Sequence, residues 1–305
     1  MCVMRKMRDL LVHVEPSILK HNFTPYSNSL PTSVLSDLVV AAQATRNLSA
    51  LLDVATRCAE HYVRPAFWAV GMISQSPKEV VSLAEIVSHV AVKSPLVCEI
   101  GFNAGHSALL WLRQRASARL VVFDLFGLPH SLASLAFVRG VYPGRVTAIP
   151  GNSRVTVTAF ADQVANGTQA PCDIWFVDGD HTGETPRVDL WNAVRASRAG
   201  AVVIADDVTT GWFAVKRTWD RLVSAGHLRH ERCQEEVLCA KGVRAPSRRG
   251  GKGKWLGDSS PLSSCEAPRC VPRNDATTRC FKKRWCWAKA GQQITSDLRA
   301  KRRPY

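Results

Sequence analysis

Asp173-Ile-Trp-Phe-Val-Asp178-Gly-Asp180-His181 is a short apolar run that ends in acids. A second apolar run, Ala201-Val-Val-Ile-Ala-Asp206-Asp207, ends in the same way. Between the two runs, residues 184–198 carry apolar side chains at three-residue steps, which predicts a helix. This order predicts a strand, a helix and a second strand of a parallel sheet. Both acidic ends then lie at one edge of the sheet, where open α/β sheets bind their ligands.

The acids at these two strand ends have two interpretations. Carboxylates that share one crevice repel each other, and such a cluster persists when a cation neutralises it or a positively charged substrate lies beside it. Alternatively, each acid only caps the helix that follows it, because Asp is a favourable N-cap residue. A cap accounts for a single strand-end acid. Four acids together with His181 favour a functional site.

Upstream, the stretch Leu96-Val-Cys-Glu99-Ile-Gly101-Phe102-Asn103-Ala-Gly105-His-Ser107 predicts a buried strand, a tight turn and a helix. Glycines at 101 and 105 let the backbone turn sharply and approach a ligand closely, with the amino end of the helix facing it. A dinucleotide-binding fold also carries glycines here, but its Gly-x-Gly-x-x-Gly pattern is missing. The turn therefore predicts a cofactor other than a dinucleotide.

Two further predicted strands end in polar residues. The strand Arg119-Leu-Val-Val-Phe-Asp124 ends in an acid 23 positions after Gly101, where a carboxylate can accept hydrogen bonds from ribose hydroxyls. A helix cap is again the alternative for this acid. The strand over residues 145–150 continues into Gly151-Asn152-Ser153, whose polar side chains can hydrogen-bond an adenine edge.

Taken in chain order, these motifs resemble the class I S-adenosylmethionine-dependent methyltransferases over residues 93–241. Asp178 and Asp206 are 28 positions apart, and this pair resembles the metal-dependent O-methyltransferases of the catechol and macrolide-sugar types. The resemblance implies a doubly wound, mostly parallel seven-stranded α/β sheet. It also implies methyl transfer from S-adenosylmethionine to a hydroxyl group of a small molecule, assisted by Mg²⁺ or Mn²⁺.

The resemblance implies a role for each matching residue. Cofactor contacts are implied for Glu99, Gly101, Phe102, Asn103, Gly105, Ser107, Asp124, Asn152, Ser153 and Asp178. Metal contacts are implied for Asp178, Asp206 and Asp207, whose hard oxygen ligands suit Mg²⁺ or Mn²⁺ better than zinc. His181 stands where relatives keep a general base, and its alternative role is to orient Asp178. Gly183 stands where relatives often carry an aromatic residue of the acceptor pocket.

Residues 1–92 are expected to form an N-terminal extension that is helical from about residue 29. Within it, Ser76-Pro-Lys-Glu79 has the spacing of a capping box with proline at the first helical position. Related enzymes use such helices to cover the cofactor and often to form dimers, and the resemblance therefore suggests a homodimer. No run of 18 apolar residues occurs, which predicts no membrane span. A cytoplasmic location is expected, and the basic start leaves organelle import open.

Residues 242–305 form a basic tail. From residue 241 to the last residue the chain has 17 basic and 4 acidic residues, which accounts for most of its net charge of +15. The composition of residues 242–305 predicts disorder. The last two strands of the sheet are expected before this tail, within residues 227–240. The patch Phe281–Trp287 interleaves cations with aromatics, as proteins that bind single-stranded nucleic acids do. A solvated tail is the favoured interpretation, and an RNA-modifying enzyme anchored by this tail is the alternative.

The 10 cysteines favour neither zinc nor disulfides. Those in the tail lack the Cys-x-x-Cys spacing of a zinc module. Cys98 and Cys172 belong to apolar strands and are expected to be buried core residues. No secretory signal is recognised, so disulfides are not expected.

Overall fold

The computed structural model describes residues 31–61, 73, 76–241 and 278–291. These residues form eight α-helices and seven strands. The helices are α1 (Thr32–Ala44), α2 (Leu48–Glu60), α3 (Pro77–Ser88), α4 (His106–Gln114), α5 (Ser131–Val141), α6 (Ser153–Ala165), α7 (Thr185–Arg195) and α8 (Phe213–Ser224). The strands are β1 (Leu96–Ile100), β2 (Arg119–Asp124), β3 (Val146–Pro150), β4 (Cys172–Val177), β5 (Ser197–Ala205), β6 (Leu228–Lys241) and β7 (Thr278–Ala290).

The strands form one sheet in the order β3-β2-β1-β4-β5-β7-β6. The first five strands of this order are parallel, and β7 runs antiparallel to both β5 and β6. The apolar runs of β1 and β4 are buried along their whole length because helices cover both faces of the sheet. This confirms the predicted doubly wound, mostly parallel seven-stranded α/β sheet. The order in which successive strands are added to the sheet reverses between β1 and β4. In open α/β sheets this point places a ligand crevice at the carboxyl ends of the two strands.

The last two strands differ from the prediction. The expected pair within residues 227–240 is instead one strand, β6, and its antiparallel partner β7 comes from the tail. The predicted domain boundary at residue 241 is therefore wrong, as is the prediction of disorder for residues 278–291. The remainder of the tail lies outside the described residues. Within the patch Phe281–Trp287, Lys283 and Trp285 are buried, and binding of nucleic acid by the tail stays a prediction.

The helical extension is confirmed over the residues that the structure describes, whereas residues 1–30 lie outside them. Helix α3 begins at Pro77 with Ser76 as its N-cap, as predicted. The reciprocal capping box is wrong, because neither side chain caps the helix. The Ser76 hydroxyl donates to Glu236 of β6 at 2.7 Å, and Glu79 forms an ion pair with Lys283 of β7. The start of α3 is thus tied to the antiparallel edge of the sheet.

Two disulfides link neighbouring strands, contrary to the prediction. Cys98 of β1 is bonded to Cys172 of β4, and both are buried as expected. Cys233 of β6 is bonded to Cys286, which faces it in the register of β7. The second bond joins the tail strand covalently to the rest of the sheet. Among the described helices, none is long and apolar enough to cross a membrane.

Candidate active site

The turn after β1 brings the chain directly against the end of β4. Gly101 has a φ of +91°, and a Cβ atom there would lie 2.0 Å from the backbone oxygen of Asp178. Gly105, which precedes α4, has a φ of +76°, and its Cβ would lie 2.7 Å from the Phe102 ring. Side chains at either position would clash as well as strain the backbone. The two predicted glycines therefore fit a turn that closes tightly between β1 and β4.

Glu99, in β1, contacts the helix that follows this turn. Its carboxyl group is completely buried and accepts a hydrogen bond from the hydroxyl of Ser107 in α4. Burial raises the pKa of Glu99 to about 8, although the hydrogen bond from Ser107 opposes the rise. A carboxyl group with this pKa is mostly protonated at neutral pH. The contact with Ser107 links β1 to α4, and a contact of either residue with the cofactor stays a prediction.

Asp124 joins the loops that follow β1 and β2. Its carboxylate accepts hydrogen bonds from the backbone N–H of Phe102, at 2.7 Å, and from that of Phe126. In the same loop, Oδ1 of Asn103 lies 2.7 Å from Nε2 of His130. Asp124, which is predicted to contact the ribose, thus also shapes the loop that would surround a cofactor. A carboxylate oxygen can accept more than one hydrogen bond, so both roles are compatible.

The two residues predicted at the adenine end both have partners in the protein. The Asn152 side chain accepts from the backbone N–H of Arg154 at 3.0 Å and caps α6. The Ser153 hydroxyl donates to Asp189 of α7 at 3.0 Å. Burial raises the pKa of Asp189 to about 7, and the Ser153 hydrogen bond opposes this rise. Sequence reasoning missed Asp189, because nothing in a helical position shows that it is buried.

Asp180 illustrates the alternative interpretation of a strand-end acid. Its carboxylate accepts hydrogen bonds from the backbone N–H and hydroxyl of Thr182, at 2.9 and 2.7 Å, and from the Thr185 hydroxyl at 3.0 Å. These contacts hold the start of α7. Asp180 is therefore a local helix-end acid, which separates it from the acids nearer the crevice.

The structure brings His181 together with two of the predicted acids. Its Nε2 atom lies 3.5 Å from Oδ1 of Asp178 and 3.9 Å from Oδ2 of Asp207. Trp212, at the start of α8, places its ring centroid 5.2 Å from that of His181 and is 41% exposed. Loops after β4 and β5 and the start of α8 therefore meet at this imidazole.

The charges of this group shift one another's pKa values. Burial, together with the neighbouring charge of Asp206, raises the pKa of Asp178 to about 7 and that of Asp207 to about 6. Burial alone would lower the pKa of His181, but its contact with Asp178 and the charges of the acids raise it above the usual value. Asp178 and Asp207 therefore bind protons at a higher pH than ordinary aspartates do.

A residue that sequence reasoning missed completes the acidic cluster. Lys283 of β7 places its Nζ atom 2.8 Å from Oε2 of Glu79 and 3.0 Å from Oδ2 of Asp206. Burial would lower the pKa of Lys283, but the charges of Asp206 and Glu79 outweigh it and raise the pKa. The alternation in Lys283-Arg-Trp285-Cys-Trp287 is a strand signal that could have revealed β7.

Lys283 bears on the metal ion expected at Asp178, Asp206 and Asp207. Asp206 is buried, and one of its carboxylate oxygens already binds the ammonium group. A divalent cation on the same carboxylate would be repelled by this nearby positive charge. Among the described residues, no group of three or more His, Cys, Asp or Glu side chains is arranged to hold a metal ion. The residues present therefore do not fit the three-aspartate site that the resemblance implies.

Residues 98–208 match a family model described as a methyltransferase domain. Over this range the chain is similar to the methyltransferase domains of that family. The match begins in β1 and ends just after β5, so it includes the Gly101 turn, Asp124, His181 and the acids after β4 and β5. The resemblance to methyltransferases is confirmed over this range. No significant relative was found among curated proteins.

Solved structures with a similar arrangement include two O-methyltransferases. One, from Bacillus cereus in complex with SAH, is 15% identical with a TM-score of 0.49, and the alignment covers 84% of this chain and 96% of that one. The other, TomG from Streptomyces achromogenes in complex with SAM, is 19% identical with a TM-score of 0.42 and coverages of 65% and 85%. Likenesses at this level leave the activity of this chain to be argued from its own residues.

Proposed function

We propose that the protein transfers a methyl group from S-adenosylmethionine to a hydroxyl oxygen of a small molecule. The observation that supports this most is the position of His181, which lies between two carboxylates and beside an exposed tryptophan. It follows Asp178, whose backbone oxygen packs beneath the Gly101 turn. The candidate base and the candidate cofactor loop are therefore direct neighbours across β1 and β4.

When bound, S-adenosylmethionine supplies an activated methyl group, so the protein must align the acceptor and remove its proton. His181 takes the proton from the acceptor hydroxyl through its imidazole, whose Nε2 atom is buried against the neighbouring acids. Asp178 and Asp207, both near this nitrogen, stabilise the imidazolium ion that results. No step passes through a metal ion, because the acids do not fit one.

The acceptor side of the site favours a molecule with an apolar or aromatic portion. Trp212 flanks His181, and the next residue, Phe213, is 63% exposed. Aromatic side chains at a site provide apolar contact area for a ring. We therefore propose a phenolic or catechol-like hydroxyl in preference to a sugar hydroxyl. A homodimer, a cytoplasmic location and RNA binding by other parts of the tail stay predictions.

Replacing His181 by alanine tests the proposal. Turnover should fall by about 10² to 10⁴, while the affinity for S-adenosylmethionine stays within about twofold, because the base acts on the acceptor. Transfer of labelled methyl groups to phenols, catechols, sugars and RNA identifies the acceptor and measures turnover. His89→Ala, an exposed histidine at the end of α3, is the matched control.

The pH profile adds a second readout. A base acts in its neutral form, so wild-type turnover should rise with pH through the raised pKa of His181. This acidic limb should disappear in His181→Ala. Full turnover in the variant, or methylation of RNA alone, would contradict the proposed reaction.

A further inference from the structure

Strand β7 inserts a positive charge into the acidic cluster from a distant part of the chain. Its Lys283 lies between Glu79 at the start of α3 and Asp206 after β5, within 2.8 and 3.0 Å of their oxygens. Both carboxylates are almost inaccessible to solvent, as is Lys283 itself. A charge buried in this way is retained only when a partner compensates for it. The three residues therefore depend on one another.

The ammonium group of Lys283 leaves Asp206 only partly satisfied. Oδ2 of Asp206 is bound, whereas Oδ1 is buried without a hydrogen-bond partner in the described structure. The charge of Asp206 also acts on Asp178, Asp207 and His181. Lys283 thus places a positive charge directly on Asp206, one of the acids that the resemblance assigns to a metal ion. Its place on β7 means that no diffusible ion is needed to supply this charge.

We infer that Lys283 is a positioning residue that supplies, from β7, the positive charge that a divalent metal ion supplies in the resembled enzymes. It binds one carboxylate oxygen of Asp206, and its positive charge repels a second cation from the strand-end acids. The inference rests on the proposed function, because that function assigns these acids to the acceptor site. It predicts that the wild-type site works without a metal ion and that removal of Lys283 creates a metal site.

Titration with Mn²⁺, followed by electron paramagnetic resonance, tests this on the full-length protein with S-adenosylmethionine bound. Lys283→Met should bind Mn²⁺ at least about tenfold more tightly than the wild type, because the repelling charge is gone and Asp206 is released. Lys283→Arg keeps the charge and should retain the weak binding of the wild type. Lys289→Met removes an exposed lysine of the same strand and is the matched control. This readout needs no acceptor, so it is independent of whether the proposed reaction is correct.

Turnover gives the second readout. Wild-type turnover should be unchanged by chelator, whereas Lys283→Met should lose turnover and regain it in part with added Mg²⁺, at unchanged affinity for S-adenosylmethionine. Because Lys283→Met leaves two buried acids facing each other, the double variant Glu79→Gln with Lys283→Met is measured beside it, with thermal melts of both. Equal Mn²⁺ affinities in the wild type and both variants would overturn the inference. Loss of wild-type turnover in chelator, restored by Mg²⁺, would also overturn it.

Discussion

At the scale of single residues, Gly101 sets the distance between the two strands that carry the site. Its backbone lies so close to the end of β4 that a Cβ would lie 2.0 Å from the Asp178 backbone oxygen. A side chain here therefore has to displace the loop that also carries His181. A substitution at Gly101 should therefore disturb both the cofactor side and the acceptor side of the crevice.

Gly101→Val should weaken binding of S-adenosylmethionine at least about tenfold, or about 1.4 kcal/mol, because the turn must open to admit the side chain. Isothermal titration calorimetry measures this affinity. Gly144→Val is the matched control, since Gly144 also has a positive φ but has no atom within 4 Å of a would-be Cβ. Equal affinities in both variants would show that the turn after β1 does not shape the cofactor site.

Asp189 gives a prediction about pH. Its folded-state pKa of about 7 lies well above the ordinary value of about 3.9, so the folded protein binds this proton more tightly than the unfolded chain. The resulting stability is present below about pH 4 and is lost as the pH rises towards 7. At about 1.4 kcal/mol per pKa unit, the ionised carboxylate destabilises the fold by up to about 4 kcal/mol above pH 7.

Asp189→Asn should therefore be more stable than the wild type at pH 8, and this advantage should vanish near pH 4. The asparagine oxygen can still accept the hydrogen bond from Ser153. Urea unfolding at several pH values measures the difference in free energy. Asp53→Asn changes an exposed aspartate of α2 and should leave the pH profile unaltered. Parallel profiles for wild type and Asp189→Asn would contradict the assigned burial effect.

Residues whose signal is local could be predicted from the sequence. Gly101 and Gly105 were recognisable because a tight turn between a buried strand and a helix requires them. His181 and the strand-end acids followed from where parallel strands end. The partner of Asp206 could not be predicted, because Lys283 approaches it only after β7 pairs with β5, and no local pattern encodes that pairing.

At the scale of elements, β4 could be predicted from its local sequence, whereas β7 could not. Strand β4 is a continuous apolar run that ends in a turn, which is typical of a strand buried on both faces. Strand β7 carries several cations and follows the Gly-rich segment 242–277, so composition favoured disorder. Pairing with two strands and packing of Trp285 against α3, where it donates to Ser82 at 3.1 Å, outweigh that composition.

A chain that ends at Lys241 should lose much of its stability, because β5 and β6 are then left without the strand between them. Loss of a buried Trp side chain alone costs about 3–5 kcal/mol. At about 2–4 °C for each kcal/mol, Tm should fall by more than about 10 °C. A chain that ends at Gly291 keeps β7 and should melt like the full-length protein. Similar melting of the two truncated chains would show that β7 is not part of the fold.

At the scale of the whole molecule, two cores lie on opposite faces of one sheet, and distant segments complete both. The first core includes buried residues of α1 to α5, and the second includes buried residues of α6 to α8. Strand β7 contributes Cys286, Ala288 and Ala290 to the second core and the partly buried Trp287 to the first. The fold that the structure describes therefore consists of residues 31–61, 73, 76–241 and 278–291. Residues 242–277 connect two strands that are direct neighbours.

This arrangement predicts that the connection can be replaced by a tight turn. Lys241 and Thr278 face each other at the open end of the β6 and β7 pair, so Asn-Gly between them should close a two-residue hairpin. The shortened protein should bind S-adenosylmethionine with unchanged affinity. Its unfolding free energy should rise by about 2.4 kcal/mol, since the loop is shortened by about four halvings at about 0.6 kcal/mol each. Calorimetric titration and denaturant unfolding measure the two quantities.

A second chain, in which residues 242–277 are exchanged for a Gly-Ser segment of equal length, separates loop length from loop sequence. It should match the wild type in both measurements if the segment only connects β6 to β7. Loss of folding in both altered chains would show that residues 242–277 pack on the domain. Loss in the shortened chain alone would show instead that β6 and β7 do not meet at Lys241 and Thr278, because a two-residue turn can only join strands that are already adjacent there.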